Sequence, residues 1–285
     1  MKLHLISAGR FKLDGGAMFG VVPKRMWEKM NPPDANNLCS WNLNVLLADT
    51  GTRRILFDTG IGNKQDERFL SHFEPAGLGV LFSALSERGY APGDITDVFF
   101  THLHFDHCGG ALWKDEASGL VAPAFPNATY WTNKKHLDWA LHPNEREKAS
   151  FLKENFLPLL ESGRLQMIKS NSGRAWLPGL RVRFVYGHTE AMMLPEIKVG
   201  KRTVVYCADL IPSQWHVGMP YVMAYDVRPL VSLREKAALL RQAVRKRWIL
   251  ALEHDPVAEA ITVREDERGR IVVDQVGALS ALLLQ

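Results

Sequence analysis

Three histidines and one aspartate lie within one six-residue segment, at His102, His104, Asp106 and His107. The apolar run that precedes them, Asp97–Thr101, has the composition of a buried strand. Burying three imidazoles and a carboxylate without partners would cost several kcal/mol. Neutral imidazole and carboxylate are good ligands for zinc and neighbouring divalent metals. The segment therefore predicts a metal site at the end of a strand.

The spacing of these four side chains indicates more than one cation. Residues two apart in an extended segment point the same way, so we expect His102, His104 and Asp106 on one face. We expect His107 to turn away, because Gly109–Gly110 give the chain the freedom to turn. His102 and His104 would then bind one metal, while Asp106 and His107 bind a second. Each metal needs further ligands from elsewhere in the chain.

Three more candidate ligands have the same setting. His188, Asp209 and His254 each stand just past an apolar run typical of a strand. The ends of strands in α/β folds are where ligands gather. This repeated placement separates them from the histidines that lack it, namely His4, His72, His136, His142 and His216.

Hydrophobic periodicity predicts the elements that position these residues. The predicted strands are Lys2–Ser7, Asn42–Ala48, Arg54–Phe57, Asp97–Thr101, Ala128–Trp131, Leu165–Ile168, Val182–Tyr186, Thr203–Cys207, Trp248–Leu252, Ala260–Val263 and Arg270–Val273. The predicted helices are Gly79–Arg88, Lys134–Leu141, Glu145–Leu160, Leu233–Arg245 and Val276–Leu284. This order favours sheets covered by helices over a simple doubly wound sheet.

The ordered set of His102-x-His104-x-Asp106-His107, His188, Asp209 and His254 resembles the metallo-β-lactamase superfamily of hydrolases. The resemblance implies an α+β fold, the αββα four-layer sandwich in which helices flank two mixed β-sheets. It also implies one hydrolase domain over residues 1–285. Within the superfamily, four segments look like the branch of N-acyl-homoserine lactonases and related phosphotriesterases: Asp14–Pro23, Asp58–Gly62, Ala124–Asn127 and Ala224–Asp226.

The resemblance implies a role for each ligand. His102, His104 and His188 would bind the first metal, Asp106, His107 and His254 the second, and Asp209 both. The two divalent cations are expected to be zinc, with iron, manganese and cobalt open. A hydroxide bridging the metals would attack the lactone carbonyl or a phosphotriester, and Asp106 or Asp209 would relay a proton. Asp58 would hold a metal-bound histidine through the other ring nitrogen. From the sequence alone, a turn role before Thr59-Gly60 is an equal alternative.

Substrate contacts are expected from residues near the N-terminus, inside the motif and after Asp209. The candidates are Met18, Phe19, Phe105, His216, Tyr221 and Tyr225. They could line an apolar pocket, although packing in the core is an equal alternative for each. Known lactonases of this type use a tyrosine soon after the bridging aspartate. Pro212 lies near that spacing here, so the carry-over fails.

One turn departs from the pattern of the family. Many relatives have Pro-Gly after the His-Thr that contains the third metal-binding histidine. This chain has Glu190 and Ala191 in the segment Gly187–Met192. We expect the change to affect substrate access more than metal binding.

The composition excludes several classes of protein. Its 285 residues carry 35 basic and 31 acidic side chains, a net charge of +4, which is too weak and scattered to predict nucleic-acid binding. No run is long enough to span a membrane, and the N-terminus lacks the apolar core of a signal peptide. Three scattered cysteines form no disulfide framework, which favours the reducing cytoplasm; we expect Cys108 and Cys207 to pack as buried thiols.

Other functions remain open at this stage. A mononuclear iron persulfide dioxygenase or a glutathione-thioester hydrolase of the same superfamily would use a similar motif. A nuclease would need a basic groove, and a non-catalytic scaffold would not be expected to keep every ligand type. The resemblance favours a small-molecule lactone or ester as substrate over β-lactams. Relatives often dimerise, so a homodimer is a further expectation.

Overall fold

The computed structural model describes residues 1–169 and 175–285. They divide into two compact units, each made of two stretches of chain. The first unit comprises Met1–Phe11 and Leu43–Lys169, and the second comprises Lys12–Asn42 and Ser170–Gln285. A single domain over residues 1–285 stays a prediction. No helix in the described parts of the chain is long and apolar enough to cross a membrane.

Strands dominate both units. In chain order the strands are β1 Lys2–Asp14, β2 Leu38–Asp49, β3 Arg54–Phe57, β4 Asp97–Phe99, β5 Leu112–Lys114, β6 Val121–Pro123, β7 Thr129–Thr132, β8 Leu165–Met167, β9 Ala175–Leu177, β10 Leu180–Val185, β11 Met192–Val199, β12 Arg202–Tyr206, β13 Ile249–Ala251, β14 Ala260–Glu265 and β15 Ile271–Gly277. The helices are α1 Gly15–Phe19, α2 Lys24–Trp27, α3 Glu67–Ser71, α4 Val80–Ser86, α5 Phe105–Cys108, α6 Lys134–Leu141, α7 Leu157–Glu161, α8 Pro229–Lys246 and α9 Leu279–Leu283.

The sheet of the first unit is mixed and has the order β1-β2-β3-β4-β7-β8. β2 and β3 are antiparallel, whereas β3, β4, β7 and β8 run parallel to one another. Phe57 and Phe99 are register partners, and their buried rings pack with centroids 5.2 Å apart. Parallel strands end at the same edge of the sheet, so Asp58 and the motif that begins at His102 emerge side by side.

The second unit contains a seven-stranded sheet in the order β15-β14-β13-β12-β11-β10-β9. β12 and β13 are parallel, and the other neighbours are antiparallel. Because β10 pairs antiparallel with β11, and β11 with β12, the strands β10, β12 and β13 all run in one direction. Their carboxyl ends therefore lie at one edge of this sheet.

Helix α8 covers the second sheet with one apolar stripe. Leu239, Leu240 and Ala243 are buried in one cluster with sheet residues that include Leu194 and Val205. Such a stripe on a long helix with a charged opposite face is what a 3.6-residue period predicts. The predicted helix Leu233–Arg245 lies within α8. The structure extends the helix back to Pro229, a residue favoured in the first turn.

The predicted helix Glu145–Leu160 is wrong over most of its length, because only α7 at its end is α-helical. Asn144 Oδ1 accepts the backbone N–H groups of Arg146 and Glu147, which closes a turn. Glu147 is buried, and its carboxylate accepts a hydrogen bond of 2.7 Å from Trp139 Nε1. Local side-chain bonds of this kind compete with helix formation. Apolar periodicity alone did not reveal them.

Candidate metal centre

The metal motif in the first unit leaves β4 and becomes helical sooner than the sequence predicted. Helix α5 begins at Phe105, so the alternating backbone ends at His104. Asp106 and His107 therefore lie on a helical turn, and the predicted common face for His102, His104 and Asp106 does not follow from an extended strand. His107 does not turn away either, since its ring centroid lies 3.9 Å from that of His102.

The ring nitrogens of this motif converge. His102 Nε2 and His104 Nδ1 are 3.0 Å apart. His107 Nε2 lies 3.6 Å from Asp106 Oδ2. Two ligand atoms of one zinc ion, each at about 2.0–2.1 Å, are at most ~4.2 Å apart. The pair His102–His104 and the pair Asp106–His107 are both within this distance. They are the two pairs that we predicted from the sequence to bind separate metals.

Asp58 fixes the orientation of two motif residues. Its carboxylate accepts hydrogen bonds from the backbone N–H and the hydroxyl of Thr101, at 2.8 and 2.7 Å. Oδ2 also lies 3.2 Å from His107 Nδ1. Thr101 Oγ1 is in turn 3.0 Å from His102 Nδ1. Asp58 reaches this position in a left-handed conformation (φ 62°) directly after β3.

The sequence did not identify Glu147 as a partner of the motif. Its Oε1 lies 3.6 Å from His104 Nε2. Its Oε2 accepts 2.7 Å hydrogen bonds from Trp139 Nε1 and Asn144 Nδ2. A buried carboxylate facing the second nitrogen of a metal-motif histidine is the arrangement that orients a ligand. The misassigned helix Glu145–Leu160 concealed it.

Gly109 and Gly110 are required by close packing, not by a turn that needs a positive φ. Gly109 has an ordinary helical conformation (φ −61°). A Cβ at Gly109 would lie 1.9 Å from the carbonyl oxygen of Ile61, and one at Gly110 would lie 2.2 Å from that of Thr59. The Gly110 N–H donates to the carbonyl of Gly60 at 2.8 Å. The glycine pair thus holds the motif against the Asp58–Gly62 turn.

The second unit brings its three predicted ligands together around one carboxylate. His188, Asp209 and His254 follow β10, β12 and β13 at the shared sheet edge. Asp209 Oδ2 lies 3.1 Å from His188 Nε2, and Asp209 Oδ1 lies 3.0 Å from His254 Nε2. All three residues are buried. The carboxylate therefore presents each of its oxygens to a different imidazole.

The other nitrogen of each imidazole is held by the protein. His188 Nδ1 is 2.9 Å from Asp226 Oδ1. His254 Nδ1 is 2.9 Å from the carbonyl oxygen of Asn42, which can only accept. In the neutral tautomers that these partners favour, Nε2 of each ring carries a lone pair directed at Asp209. Lone pairs facing oxygens at 3.0–3.1 Å suit bound divalent cations, so this donor set fits the expected metals.

Glu253 is a further carboxylate at this end of the second sheet. Asp209, Glu253 and His254 offer ligand atoms that all lie within 4.8 Å of one another. Glu253 is 1% exposed. Its position directly before His254 gave no signal in the sequence, because an acidic residue beside a strand end is common.

Several predicted substrate contacts are interior residues of the second unit. Phe19 is fully buried and stacks on Trp27 and His216, at centroid distances of 5.1 and 5.4 Å. His216 Nε2 donates to the Met18 carbonyl at 2.9 Å, and Ser213 Oγ lies 2.7 Å from Nδ1. Burial lowers the pKa of His216 to about 3, so the ring is neutral. These contacts are those of a packed core, and a substrate role for Met18, Phe19 and His216 stays a prediction.

The remaining candidates differ in exposure. Tyr225 is 39% exposed, and Tyr221 is half-buried with its ring nearly perpendicular to that of Phe19. Phe105 belongs to the first unit, where it packs against Phe69 and Phe73 at 5.1 and 4.6 Å. Tyr221 and Tyr225 therefore have the surface that a substrate contact needs.

The departure at Glu190 and Ala191 has a physical explanation. Ala191 adopts a left-handed conformation (φ 54°), which glycine takes more easily. Glu190 Oε2 accepts a 2.8 Å hydrogen bond from Arg228 Nη2, and Arg228 Nη1 donates to the Tyr186 carbonyl. An ion pair therefore fastens the turn that carries His188.

The cysteines behave as expected. Cys39, Cys108 and Cys207 are free and buried. Cys108 Sγ lies 3.4 Å from the Leu103 carbonyl, to which its thiol donates. Burial raises the pKa of Cys108 to about 12 and also raises that of Cys207. Such thiols pack and donate rather than bind a metal as thiolates.

Comparison with known proteins agrees with this geometry. The model of the metallo-beta-lactamase superfamily matches residues 41–245. An N-acyl homoserine lactonase of Bacillus thuringiensis is 26% identical over 198 residues, which are 66% of this chain and 66% of that protein. The match therefore spans about two thirds of the length of that curated relative.

Solved structures extend the likeness over nearly all of the chain. A probable metal-dependent hydrolase from Staphylococcus aureus has a TM-score of 0.86 and 27% identity, covering 97% of this chain and 96% of its own. AidC, a dizinc quorum-quenching lactonase solved with a homoserine product, has a TM-score of 0.76 and 20% identity, covering 98% and 97%. These structures confirm the predicted fold class, an α+β αββα sandwich with two mixed sheets flanked by helices.

The matched region covers more than half of the 285 residues. It contains six of the seven predicted metal ligands, all except His254. The prediction of a metal-dependent hydrolase is confirmed at the level of the family. This chain belongs to the metallo-β-lactamase superfamily.

Proposed function

We propose that this protein is a di-metal hydrolase that opens lactones of the N-acyl-homoserine type. The observation that carries the proposal is Asp209, whose two oxygens lie 3.1 and 3.0 Å from the Nε2 atoms of His188 and His254. A carboxylate with a separate histidine at each oxygen is suited to bridging two cations. Two close cations are the arrangement that activates water for hydrolysis at neutral pH.

The proposed ligand set uses all seven predicted residues. His102, His104 and His188 would hold the first metal, Asp106, His107 and His254 would hold the second, and Asp209 would contact both. When bound, the divalent metals supply Lewis acidity and lower the pKa of coordinated water. Zinc is the proposed metal, since AidC is described as a dizinc lactonase.

Residues behind the ligands prepare them for this chemistry. Asp226 accepts a hydrogen bond from Nδ1 of His188, and the Asn42 carbonyl accepts one from Nδ1 of His254, both at 2.9 Å. With the proton on Nδ1, the Nε2 atom of each ring is left unprotonated for a metal. Asp58 does the same for His107 at 3.2 Å. Because these acceptors are fixed before substrate binds, the imidazoles need little reorganisation. The carboxylate of Asp106 or Asp209 is proposed to accept the proton that the attacking water loses and to pass it to the leaving alkoxide.

The substrate class comes from the relatives. The curated relatives are named N-acyl homoserine lactonases, and AidC is a quorum-quenching lactonase. A lactone is an ester whose carbonyl and leaving oxygen stay in one molecule, so one pair of metals can serve both. Phosphotriesters are a proposed second substrate class. A quorum-quenching role, a homodimer and a cytoplasmic location stay predictions.

A direct test uses one purified preparation. We expect about two zinc-like ions per chain by elemental analysis and ring opening of acyl-homoserine lactones. The same sample is assayed with other lactones, phosphotriesters, a glutathione thioester and a persulfide. One iron per chain with oxygen consumption on the persulfide, or activity on the sulfur substrates alone, would replace the lactonase proposal.

Variants of two histidines separate the site from general effects. His104→Ala should lose metal and turnover together, because it removes one of two ligand nitrogens 3.0 Å apart. His142→Ala is the matched control, since His142 is exposed and its Nδ1 lies near the Asp138 carbonyl. Full activity in His104→Ala would remove this residue from the ligand set.

A further inference from the structure

Lys236 is a cation inside the second unit that the proposed metal site does not use. It lies on α8 and is only 1% exposed, among the largest fully buried side chains. An ammonium is expensive to bury unless hydrogen bonds satisfy it. Its Nζ donates to the carbonyl oxygens of Gly218 and Tyr221, at 2.9 and 2.8 Å. These bonds tie α8 to the segment that follows Asp209.

The segment held by Lys236 is a tight turn that carries a candidate substrate residue. The Tyr221 N–H donates to the Gly218 carbonyl at 3.0 Å, so this carbonyl accepts two hydrogen bonds. The Tyr221 ring lies directly against Gly218, because a Cβ there would be 2.8 Å from Tyr221 Cδ2. The Tyr221 ring is also nearly perpendicular to that of Phe19, with centroids 6.1 Å apart. The turn, the missing Cβ and Phe19 together define the direction of the tyrosine.

A small cavity places this turn beside the bridging carboxylate. Its volume is about 10 Å³, roughly enough for one water. Asp209, Tyr221, Asp226, Ser232 and Lys236 are among its lining residues. The Ser232 hydroxyl is buried there, and none of the residues that the structure describes forms a hydrogen bond with it. Apolar residues such as Leu210 and Met223 complete the lining, so the cavity joins Lys236, the tyrosine turn and Asp209 in a mixed interior.

We propose that Lys236 is a positioning residue: its buried ammonium fixes the turn Gly218–Tyr221 so that the Tyr221 side chain contacts the lactone next to Asp209. This inference rests on the proposed function and assigns the substrate-binding role to Tyr221. A tyrosine near Asp209 in space replaces the one expected a few residues later in sequence. Lys236 acts only through the turn and touches neither metal nor substrate.

The first test does not depend on activity. In Lys236→Met, the backbone amides of residues 218–226 should exchange hydrogen faster, because the turn loses both anchoring bonds. Arg241→Met is the matched control on the same helix, where Arg241 is exposed. Unchanged exchange in Lys236→Met would overturn the inference whatever the substrate proves to be.

The second test is kinetic and separates positioning from folding. Gly218→Ala pushes on the Tyr221 ring without touching Lys236, and Gly218 has an ordinary φ of −57° that alanine tolerates. Lys236→Met and Gly218→Ala should each raise KM for the lactone roughly tenfold, about one lost hydrogen bond, with metal content and kcat little changed. In a Tyr221→Ala background, both substitutions should have no further effect on KM.

The outcomes distinguish this inference from the proposed function. Inactivity of the wild-type protein on lactones would remove the proposed function and leave the exchange experiment to decide the role of Lys236. Lactonase activity that Tyr221→Ala leaves unchanged would remove the substrate role of the tyrosine. Equal effects of Lys236→Met with and without Tyr221 would show that the lysine acts only on stability. If Lys236→Met fails to fold, Gly218→Ala carries the kinetic test.

Discussion

At Asp209, one substitution can remove the negative charge of the side chain while keeping its shape. Asp209→Asn keeps the size of the side chain but replaces one oxygen by an NH₂ group, which cannot bind a cation. Each of the two oxygens faces an imidazole at 3.0–3.1 Å, so the amide must fail on one side in either orientation. We expect loss of at least one metal per chain and about a 100-fold or greater fall in kcat/KM.

The control for this substitution is Asp274→Asn, since Asp274 is exposed on β15. It should change neither metal content nor turnover. Elemental analysis and steady-state kinetics on the three proteins give the answer. An Asp209→Asn protein that retains two metals and its full kcat/KM would show that this carboxylate does not bridge.

Lys236 gives a pH dependence whose sign follows from its burial. Burial lowers the pKa of Lys236 from 10.5 to about 8. Between these values the unfolded chain binds more protons than the folded one, so the free energy of unfolding rises with pH. Each pKa unit corresponds to about 1.4 kcal/mol, which gives a rise of about 3 kcal/mol from this residue.

Other groups titrate in the same range, because Lys64 has a pKa lowered to about 8 as well. The useful quantity is therefore the difference between wild type and Lys236→Met in urea unfolding at pH 7.5 and pH 10. We expect this difference to move in favour of the wild type at the higher pH. Parallel pH curves for the two proteins would contradict a buried, easily deprotonated lysine.

The candidate metal ligands could be selected from the sequence, and so could Asp58, which lies 3.2 Å from His107 Nδ1. The other groups that orient these imidazoles could not. The ligands stand at the ends of apolar strands, which is a local pattern. Their partners come from distant segments: Asp226 lies 38 residues from His188, and Asn42 lies 212 residues from His254. Only the fold brings such residues together, and a backbone carbonyl such as that of Asn42 has no side-chain signature at all.

Helix α8 is capped at its C-terminus by Arg247, whose backbone has a conformation that arginine adopts poorly. Arg247 follows the last helical residue in a left-handed conformation (φ 53°, ψ 48°), and its N–H donates to the carbonyls of Ala243 and Val244. Glycine is the residue that adopts this position most easily. Arg247→Gly should therefore stabilise the protein by about 0.5–1 kcal/mol, measured by urea unfolding.

The same substitution two residues earlier should have the opposite sign. Arg245 is also exposed, but it lies inside the last turn of α8. Glycine within a helix costs about 1 kcal/mol relative to good helix formers. Both variants remove one positive charge near the helix end, so the electrostatic change cancels in the comparison. Destabilisation of equal size in both proteins would contradict the role assigned to φ at Arg247.

Elements were predictable where one periodicity governs many residues. The stripe of α8 spans several turns, so its period is unambiguous. The one-turn helix α5 is too short to show a period, so the prediction from the sequence was an extended chain. The segment Glu145–Leu160 has an apolar pattern, but Asn144 caps only a short turn, and the carboxylate of Glu147 is buried against Trp139 instead of facing solvent on a helix. Polar bonds thus override periodicity in short elements.

The whole molecule should depend on its metals for stability as well as for activity. Buried histidines and carboxylates that bind cations only in the folded protein convert metal affinity into folding free energy. Exhaustive chelation should abolish lactone hydrolysis and lower the melting temperature by several degrees or more. Addition of zinc should restore both, measured by turnover and by thermal unfolding on the same sample.

The variant His104→Ala, which lacks one candidate metal ligand, provides the control for chelation. His104→Ala should already melt at a lower temperature, and chelator should shift it less than it shifts the wild type, because one ligand of the first metal is gone. A nonspecific effect of the chelator would instead lower both proteins equally. Wild-type turnover that survives complete removal of metal would mean that the buried imidazoles and carboxylates serve only structure. The chemistry would then have to come from other residues.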